Sequence, residues 1–295
     1  MRTYTSSKFT SAQLAVALLW SCGFAAAQSA SNLSIFSVTN PGDFQPGLPS
    51  AGSLASILTT GLVNPSSSLT ISPPLGALPR QLAGVQVLIN GTPAPIAGIA
   101  FLPAYQAIKV QVPWETAGDT VTIEVTQSGS SAQATAPVVG AALFFFSAFF
   151  ADGQGYGQFL HVSDYSAVTP QNPAHPGEYL MAYALNLGPV SNRPATGVPT
   201  PDSPYSIPIS VAPVCGYTEQ LLVGNVASNV QFEGLAPGLV GVYQINFQVP
   251  LSLSAGDASV SISRQLDEDF YSCSEGQTGH SFFTQISRAV VLPVR

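Results

Sequence analysis

One short strand-forming sequence, which we call the phrase, occurs twice in the chain. YQAIKVQVP runs from Tyr105 to Pro113, and YQINFQVP runs from Tyr243 to Pro250. Aligned on their prolines, both copies alternate apolar and polar residues, which is the two-residue period of a strand with one buried face. Each proline ends its strand because it has no N–H to donate to a sheet ladder. A chain that duplicates such a strand is expected to duplicate a whole β-domain.

The duplication extends upstream of the phrase. GSLASILTTGL (52–62) aligns without gaps with GEYLMAYALNL (177–187). VQVLINGTPAPI (85–96) corresponds more loosely to EQLLVGNVASNV (219–230). The Asn90-Gly91 step inside the first of these is typical of a two-residue hairpin turn. Each copy therefore contains several short strands separated by turns.

The composition favours the same architecture. Hydrophobic residues make up 46% of the 295 residues and charged residues only 8%, while Gly (26) and Pro (25) are frequent. Few charges disfavour long solvated helices, and many turn-forming residues favour short strands. We predict an all-β fold with two tandem immunoglobulin-like β-sandwich domains, at 28–138 and 139–295. The apolar junction at 138–150 is too short to span a membrane and is interpreted as strand.

The N-terminus has the features of a secretory signal peptide. Arg2 and Lys8 precede an apolar run at 14–24, and small residues follow at Ala25–Ala27. We predict that residues 1–27 are cleaved after Ala27, which makes the mature chain a bacterial secreted, extracellular or cell-surface protein. A membrane anchor is disfavoured by the short apolar run. A lipoprotein signal that ends at Cys22 is the remaining alternative.

The charge and the cysteine content limit the classes of partner and of metal site that the chain could have. Cleavage removes two basic residues and no acidic one, so the net charge changes from −7 to −9. So acidic a chain is a poor nucleic-acid binder and is repelled by anionic lipid. Cys215 and Cys273 remain, and an even pair in an exported protein favours a disulfide, worth about 4 kcal/mol in the chain-entropy model. Two isolated cysteines do not fill a tetrahedral metal site, and we predict no metal and no cofactor.

Four segments of the second half carry a resemblance to a known domain family. They are FFADGQGYGQ (149–158), NPAHPGEYLMAYALNLGPV (172–190), LAPGLVGVYQINFQVP (235–250) and AGDASVSIS (255–263). As an ordered set they resemble a C-terminal domain common in secreted acidobacterial proteins. NPGDFQPGLPSAGSLASILTTGL (40–62) resembles the opening of the related domain that often precedes it.

The resemblance implies two immunoglobulin-like β-sandwiches. It implies no catalytic residues, because no activity is established for the family. Two features depart from the family pattern. The turn at 265–280 is longer than the usual hairpin, and both Cys215 and Cys273 are particular to this chain. A disulfide that pins an enlarged loop is the expected local elaboration.

The residues that could carry catalysis are scattered. There is no G-x-S-x-G nucleophile motif, and the histidines His161, His175 and His280 are isolated. His161 with Asp164 and a serine could form a triad in space, although loop or edge histidines are the favoured interpretation. The acidic run at 267–269 lacks the spacing of an EF-hand and is interpreted as a solvated hairpin tip. We predict no catalytic residues.

Aromatic residues next to turns are the candidate ligand-binding residues. An exposed ring can stack on a sugar while nearby polar groups bond its hydroxyls, although many aromatic residues of sandwiches pack in the core. The candidates are Trp114, Tyr156 and Tyr165, with Tyr205 and Tyr217 in similar turn-rich stretches.

These observations predict a non-catalytic exported module for adhesion, scaffolding or ligand recognition. Its expected partner is an extracellular polysaccharide or protein. One alternative is a polysaccharide-binding protein with a flat, exposed aromatic platform that includes Trp114. A second alternative is a hydrolase whose site forms only in the folded chain.

Overall fold

Residues 34–139 form two β-sheets, the N-terminal sheet pair. The computed structural model describes residues 33–42, 44–139, 144–145, 147–149, 155–209, 218–267, 282–287 and 289–295. Sheet 1 has the strand order β1-β3-β9-β8-β4, and sheet 2 has the order β2-β11-β10-β6-β5, with β7 beside β6. The strands are β1 (Ser34–Thr39), β2 (Leu48–Pro49), β3 (Leu54–Thr60), β4 (Thr70–Ile71), β5 (Gln81–Leu82), β6 (Val85–Ile89), β7 (Thr92–Pro93), β8 (Ile96–Phe101), β9 (Gln106–Gln111), β10 (Thr120–Gln127) and β11 (Ser130–Val139).

The strands from residue 144 onward form two further sheets, the C-terminal sheet pair. Sheet 3 has the order β12-β16-β20-β19, with β15 beside β16. Sheet 4 has the order β13-β14-β23-β21-β17-β18, with β22 beside β21. The strands are β12 (Phe144–Phe145), β13 (Ser147–Phe149), β14 (Gly155–Gly157), β15 (Phe159–His161), β16 (Tyr179–Leu185), β17 (Thr218–Val223), β18 (Val226–Ala227), β19 (Val230–Leu235), β20 (Tyr243–Gln248), β21 (Gly256–Asp267), β22 (Phe282–Ile286) and β23 (Val290–Val294).

Each sheet pair encloses a hydrophobic core. In the N-terminal pair, Ile57 and Ile108 of sheet 1 share one buried cluster with Ile123 of sheet 2. In the C-terminal pair, Phe247 of sheet 3 and Leu292 of sheet 4 belong to another. Side chains from two facing sheets fill each core, which is the arrangement of a β-sandwich. No helix occurs in the ranges that the structure describes, and the prediction of an all-β fold is confirmed.

The duplicated phrases occupy equivalent places in the two sheet pairs. Strand β3 pairs with β9 so that Leu54 lies opposite Gln111. Strand β16 pairs with β20 so that Tyr179 lies opposite Gln248. In the sequence alignment Leu54 matches Tyr179 and Gln111 matches Gln248, so both copies use the same antiparallel register. The sequence repeat is therefore a structural repeat.

The glutamine of each phrase bonds the glycine before its partner strand. Gln111 Nε2 donates to the carbonyl oxygen of Gly52 at 3.1 Å, and Gln248 Nε2 donates to that of Gly177 at 2.9 Å. Gly52 has φ +87° and Gly177 has φ +90°, a conformation that glycine adopts at little cost. The Gln-Val-Pro ending thus closes the same turn in both sheet pairs.

The residue after each proline lies over that glycine, but the two copies differ in burial. A Cβ atom on Gly52 would lie 2.0 Å from a ring carbon of Trp114, and one on Gly177 would lie 2.8 Å from Leu251 Cδ2. Trp114 is 7% exposed, whereas Leu251 is 80% exposed. Trp114 belongs to the buried cluster of the C-terminal sheet pair. The N-terminal repeat therefore contributes a side chain to the core of the other pair.

Polar contacts surround Trp114 where the two sheet pairs meet. Its backbone N–H donates to Thr196 Oγ1 at 3.1 Å, and the Thr196 hydroxyl donates to Glu115 Oε2 at 2.9 Å. The N–H of Gly197 donates to Gln111 Oε1 at 2.6 Å. Gln111 thus bonds backbone groups of both sheet pairs at once.

A second set of contacts extends this joint. The backbone N–H and the hydroxyl of Ser50 both donate to Asn186 Oδ1, the former at 2.9 Å. Leu54 and Leu185 form a small buried apolar cluster. The guanidinium carbon of Arg193 lies 5.5 Å from the Trp114 ring centroid, within the range of a cation–π contact. The two sheet pairs belong to one compact unit.

Several sequence predictions fall outside the described residues and stay predictions. They are the signal peptide at 1–27 with Cys22, the Cys215–Cys273 disulfide, Tyr217, His280 and most of the acidic run at 267–269. In the part of the chain that is described, no helix has the length and apolar character needed to cross a bilayer.

Candidate functional site

An open groove lies on the outer face of sheet 3, away from the core. Its volume is about 430 Å³. Four of its nine lining residues are aromatic, two are amides, and three are aliphatic, sulfur-containing or proline. They are Leu160, Tyr165, Met181, Tyr183, Tyr205, Phe232, Pro237, Gln244 and Asn246. We call this site the aromatic groove.

The floor of the aromatic groove follows from strand alternation. On β20, Tyr243, Ile245 and Phe247 point into the core, so Gln244 and Asn246 point to the outer face. Gln244 lies opposite Tyr183 of β16, and Asn246 lies opposite Met181. The central strands thus place two amides beside apolar and aromatic side chains.

Tyr165 forms one rim, on the turn that follows β15. It is 68% exposed and has φ +59°, and its N–H donates to the carbonyl oxygen of His161 at 2.8 Å. The backbone N–H of Ser166 donates to Asp164 Oδ1 at 2.9 Å and holds the pKa of that carboxyl below its usual value. The tight turn therefore presents the Tyr165 ring to solvent at the edge of the floor.

His161 anchors the same turn from below. Its Nδ1 lies 3.0 Å from Glu178 Oε2, and its Nε2 lies 3.3 Å from the carbonyl oxygen of Asn172. The side chain of Asn172 donates to Ser166 Oγ at 3.1 Å. Nδ1 of His161 faces a carboxylate and Nε2 faces a backbone carbonyl oxygen, so neither ring nitrogen faces a serine hydroxyl, as a triad requires. The triad hypothesis with Asp164 gains no support, because Glu178 is the carboxylate that contacts this histidine.

Tyr205 forms the other rim, next to the edge strand β19. It is 55% exposed, and its ring centroid lies 5.3 Å from that of Phe232 at an interplanar angle of 68°. This edge-to-face geometry is favourable for aromatic pairs. The next residue in the chain, Ser206, lies beside β19, and its carbonyl oxygen accepts the N–H of Leu235 at 2.8 Å. The two exposed tyrosines therefore lie toward opposite edges of the sheet.

Gly234 permits this close approach. A Cβ atom on Gly234 would lie 2.7 Å from the carbonyl oxygen of Ser206 and 3.0 Å from Phe232 Cζ. We expect Gly234→Ala to displace the Tyr205 segment and to lower the free energy of unfolding by about 1–3 kcal/mol through overpacking. Urea denaturation measures the stability, and loss of NMR cross-peaks between the Tyr205 and Phe232 rings reports the displacement.

Gly98→Ala is the matched control for this substitution. A Cβ atom on Gly98 would lie 3.4 Å from its nearest backbone neighbour, the carbonyl oxygen of Ile71 in the N-terminal sheet pair. We expect that variant to keep the Tyr205–Phe232 contact. If Gly234→Ala also keeps it, the role assigned to Gly234 is wrong.

Two of the three aromatic residues predicted as ligand-binding are buried, and the prediction of an exposed platform that includes Trp114 is wrong. Gly52 lies beneath the Trp114 ring and the C-terminal sheet pair covers it, which leaves it 7% exposed. Tyr156 is 5% exposed because its strand lies between β13 and β23, and its hydroxyl donates to Asp257 Oδ2 at 3.5 Å. Of these three residues, only Tyr165 lies at the groove, together with Tyr205 from the other turn-rich stretches.

The described lining of the groove is uncharged. Among the residues that the structure describes, it contains no carboxylate, histidine, cysteine, serine, lysine or arginine side chain. Aromatic rings offer flat apolar faces, and the two amides offer hydrogen-bond donors and acceptors without charge. Within the described ranges, no cluster of three or more His, Cys, Asp or Glu side chains could hold a metal ion.

Most floor residues are not among the candidates from the sequence, because they lie within strands and the candidates are aromatic residues beside turns. They are Tyr183, Phe232, Gln244 and Asn246. The available signal was the outward register of β16 and β20, which the duplicated phrase defines. It places Tyr183 directly opposite Gln244.

Comparisons with known proteins give no family and no curated relative. Among solved structures, a Bacteroides ovatus mixed-linkage glucan utilization locus protein in complex with a heptasaccharide matches with 12% identity and a TM-score of 0.29, over 84% of this chain and 42% of that one. A tandem from titin matches with 10% identity and a TM-score of 0.20, over 89% of this chain and 65% of that one. The C-terminal domain of a Streptococcus agalactiae AgI/II polypeptide matches with 10% identity and a TM-score of 0.19, over 88% of this chain and 99% of that one.

This chain therefore spans less than two thirds of the first two of these structures. At such TM-scores and identities, the likenesses carry no argument about function.

Proposed function

We propose that this protein is a non-catalytic binding module that recognises a polysaccharide through the aromatic groove. One observation carries the proposal: two largely exposed tyrosines, Tyr165 and Tyr205, flank an open groove with an aromatic and amide floor. Binding residues lie disproportionately on loops that a rigid scaffold positions, as both tyrosines do. Ligand sites typically combine apolar and aromatic walls with a few placed polar groups.

The lining also supports binding without reaction. Glycoside hydrolysis needs two carboxyl groups across the scissile bond, and the lining residues that the structure describes include none. The face of a pyranose ring is apolar and its rim carries hydroxyls, so it suits a tyrosine face above an amide floor. In this proposal residues 1–27 direct export, and the mature chain meets its ligand outside the cytoplasm.

Truncation of either rim tyrosine tests the proposal. Residues 28–295, as wild type, Tyr165→Ala and Tyr205→Ala, would be run in native gels containing soluble polysaccharides and pulled down on insoluble ones. We expect each variant to lose at least about tenfold in affinity, which is about 1.4 kcal/mol, because each removes one of the two rings that stack on the ligand.

Phe36→Ala is the matched control. Phe36 is 55% exposed, as Tyr205 is, and it makes one edge-to-face contact, with Tyr105 at 5.9 Å, in the N-terminal sheet pair. We expect this variant to bind as the wild type does. The proposed function is rejected if the wild-type protein binds none of the polysaccharides, or if binding survives both tyrosine substitutions.

A further inference from the structure

Two amide side chains lie at the middle of the groove floor. Gln244 and Asn246 are two residues apart on β20, which lies between β16 and β19. Their outward side chains are neighbours on one face of the strand. Tyr165 belongs to the β15 side of the sheet and Tyr205 to the β19 side. A ring held at the rims would therefore present its hydroxyls to this amide pair.

The two amides are already joined in a defined way. Gln244 Nε2 donates to Asn246 Oδ1 at 2.9 Å. Among the described residues, no protein group bonds the other ends of the pair, Gln244 Oε1 and Asn246 Nδ2. If both amides are turned over, the bond runs the other way and again leaves one acceptor and one donor free. The pair thus offers one acceptor and one donor side by side.

Adjacent sugar hydroxyls match this pattern. Each hydroxyl has one O–H to donate and lone pairs to accept, so two neighbouring hydroxyls can donate to Gln244 Oε1 and accept from Asn246 Nδ2. Because the amide–amide bond holds both side chains in place, less freedom is lost when a ligand binds. A single hydroxyl, or a hydroxyl blocked by substitution, could use only one end of the pair.

The absence of charge in the described lining restricts the ligand further. None of the described lining residues is a lysine or an arginine, and the full chain carries a net charge of −7. A carboxylated or sulfated polymer would gain no ion pair with these residues and would be repelled by the protein as a whole. None of them is acidic either, so a polycation would find no counter-charge among them.

We infer that the groove selects an uncharged polysaccharide and that Gln244 and Asn246 hold a vicinal diol of one sugar unit. The inference rests on the proposed function and names its ligand class. It assigns the two residues a binding role that aromatic stacking alone would not give them.

The test compares polymers and amide variants in one assay. Affinities of residues 28–295 would be measured for neutral galactomannan, xyloglucan and β-glucan, and for anionic polygalacturonate and alginate. The tightest neutral polymer would also be oxidised with periodate and reduced with borohydride, which cleaves its vicinal diols and leaves it uncharged. We expect anionic and diol-cleaved polymers to bind at least about tenfold more weakly, since the amide contacts are lost.

Charge-introducing variants separate the amide pair from the tyrosine rims. We expect Asn246→Asp and Gln244→Glu each to weaken neutral-polymer binding about tenfold or more, because each removes a donor and adds a negative charge. Gln220→Glu is the control, since Gln220 is exposed on β17 of sheet 4, away from the groove, and the substitution adds the same charge there. It should bind as the wild type does.

The outcomes are distinguishable. If both amide variants bind as the wild type does while Tyr165→Ala and Tyr205→Ala lose binding, the amide inference is overturned and the proposed function stands. Equal affinity for anionic and neutral polymers overturns the assigned ligand class in the same way. If no polymer binds, the proposed function fails and takes this inference with it.

Discussion

Trp114→Ala should lower the free energy of unfolding by about 3–5 kcal/mol, the usual cost of truncating a buried tryptophan. The ring is 7% exposed, lies over Gly52 and belongs to the buried cluster of the C-terminal sheet pair. Alanine would leave a cavity where the two sheet pairs meet, and the Arg193 guanidinium would lose its ring contact. Urea denaturation followed by circular dichroism measures the loss without needing the indole signal.

The second repeat supplies a matched control at the equivalent position. Leu251 follows its proline as Trp114 does and lies over Gly177, but it is 80% exposed. We expect Leu251→Ala to change stability by no more than about 0.5 kcal/mol, as is usual for surface positions. Similar losses for the two variants would show that burial by the C-terminal sheet pair is not what makes Trp114 important.

Gln111→Leu is expected to have the second largest effect, a loss of about 2–5 kcal/mol. The side chain is 1% exposed, and it donates to the carbonyl oxygen of Gly52 and accepts from the N–H of Gly197. Leucine fits the space but leaves both backbone groups without these bonds, and each buried unsatisfied group costs about 1–3 kcal/mol. Trp114 fluorescence follows the unfolding of residues 28–295, where it is the single tryptophan.

Gln248→Leu is the control for this variant. Gln248 is half-buried and makes the equivalent bond to Gly177, but no described residue of the other sheet pair bonds its side chain. We expect a loss of about 1 kcal/mol, the net value of one hydrogen bond. The difference between the two variants then estimates the contribution of the Gly197 bond. Equal losses would assign no energy to that bond.

The strand pairing of both sheet pairs could be predicted from the sequence because it is local and repeated. The alternation in the two phrases defines which residues face inward, and the ungapped alignment of 52–62 with 177–187 supplies the partner strands. The observed registers, Leu54 with Gln111 and Tyr179 with Gln248, follow that alignment. A side chain period of two leaves little freedom once one face is buried.

The fate of Trp114 could not be predicted in the same way. It and Leu251 follow identical Gln-Val-Pro sequences, so local pattern assigns them the same environment. One is buried and the other exposed because a second sheet pair covers only the first. Burial by a distant part of the chain leaves no periodic signal nearby.

Only some of the groove residues could be predicted from the sequence, for a related reason. Tyr165 and Tyr205 are candidates from the sequence because aromatic residues on loops are the part of a sandwich most free to bind a ligand, whereas Tyr156 lies in a similar stretch and is buried within β14. For Gln244 and Asn246, the sequence pattern predicts only the ordinary polar outer face of a strand. Only the positions of Tyr205 and Phe232 above that face show that the amides form a floor.

The shared burial of Trp114 also has a consequence for the order of folding. Domains generally fold from the N-terminus during synthesis. The N-terminal sheet pair is complete at Val139, yet the cluster that buries Trp114 includes Val249 and Leu292. Until the C-terminal sheet pair has formed, the indole stays exposed on an otherwise finished sandwich. The incompletely folded chain therefore carries exposed apolar surface, which makes such a species prone to aggregate.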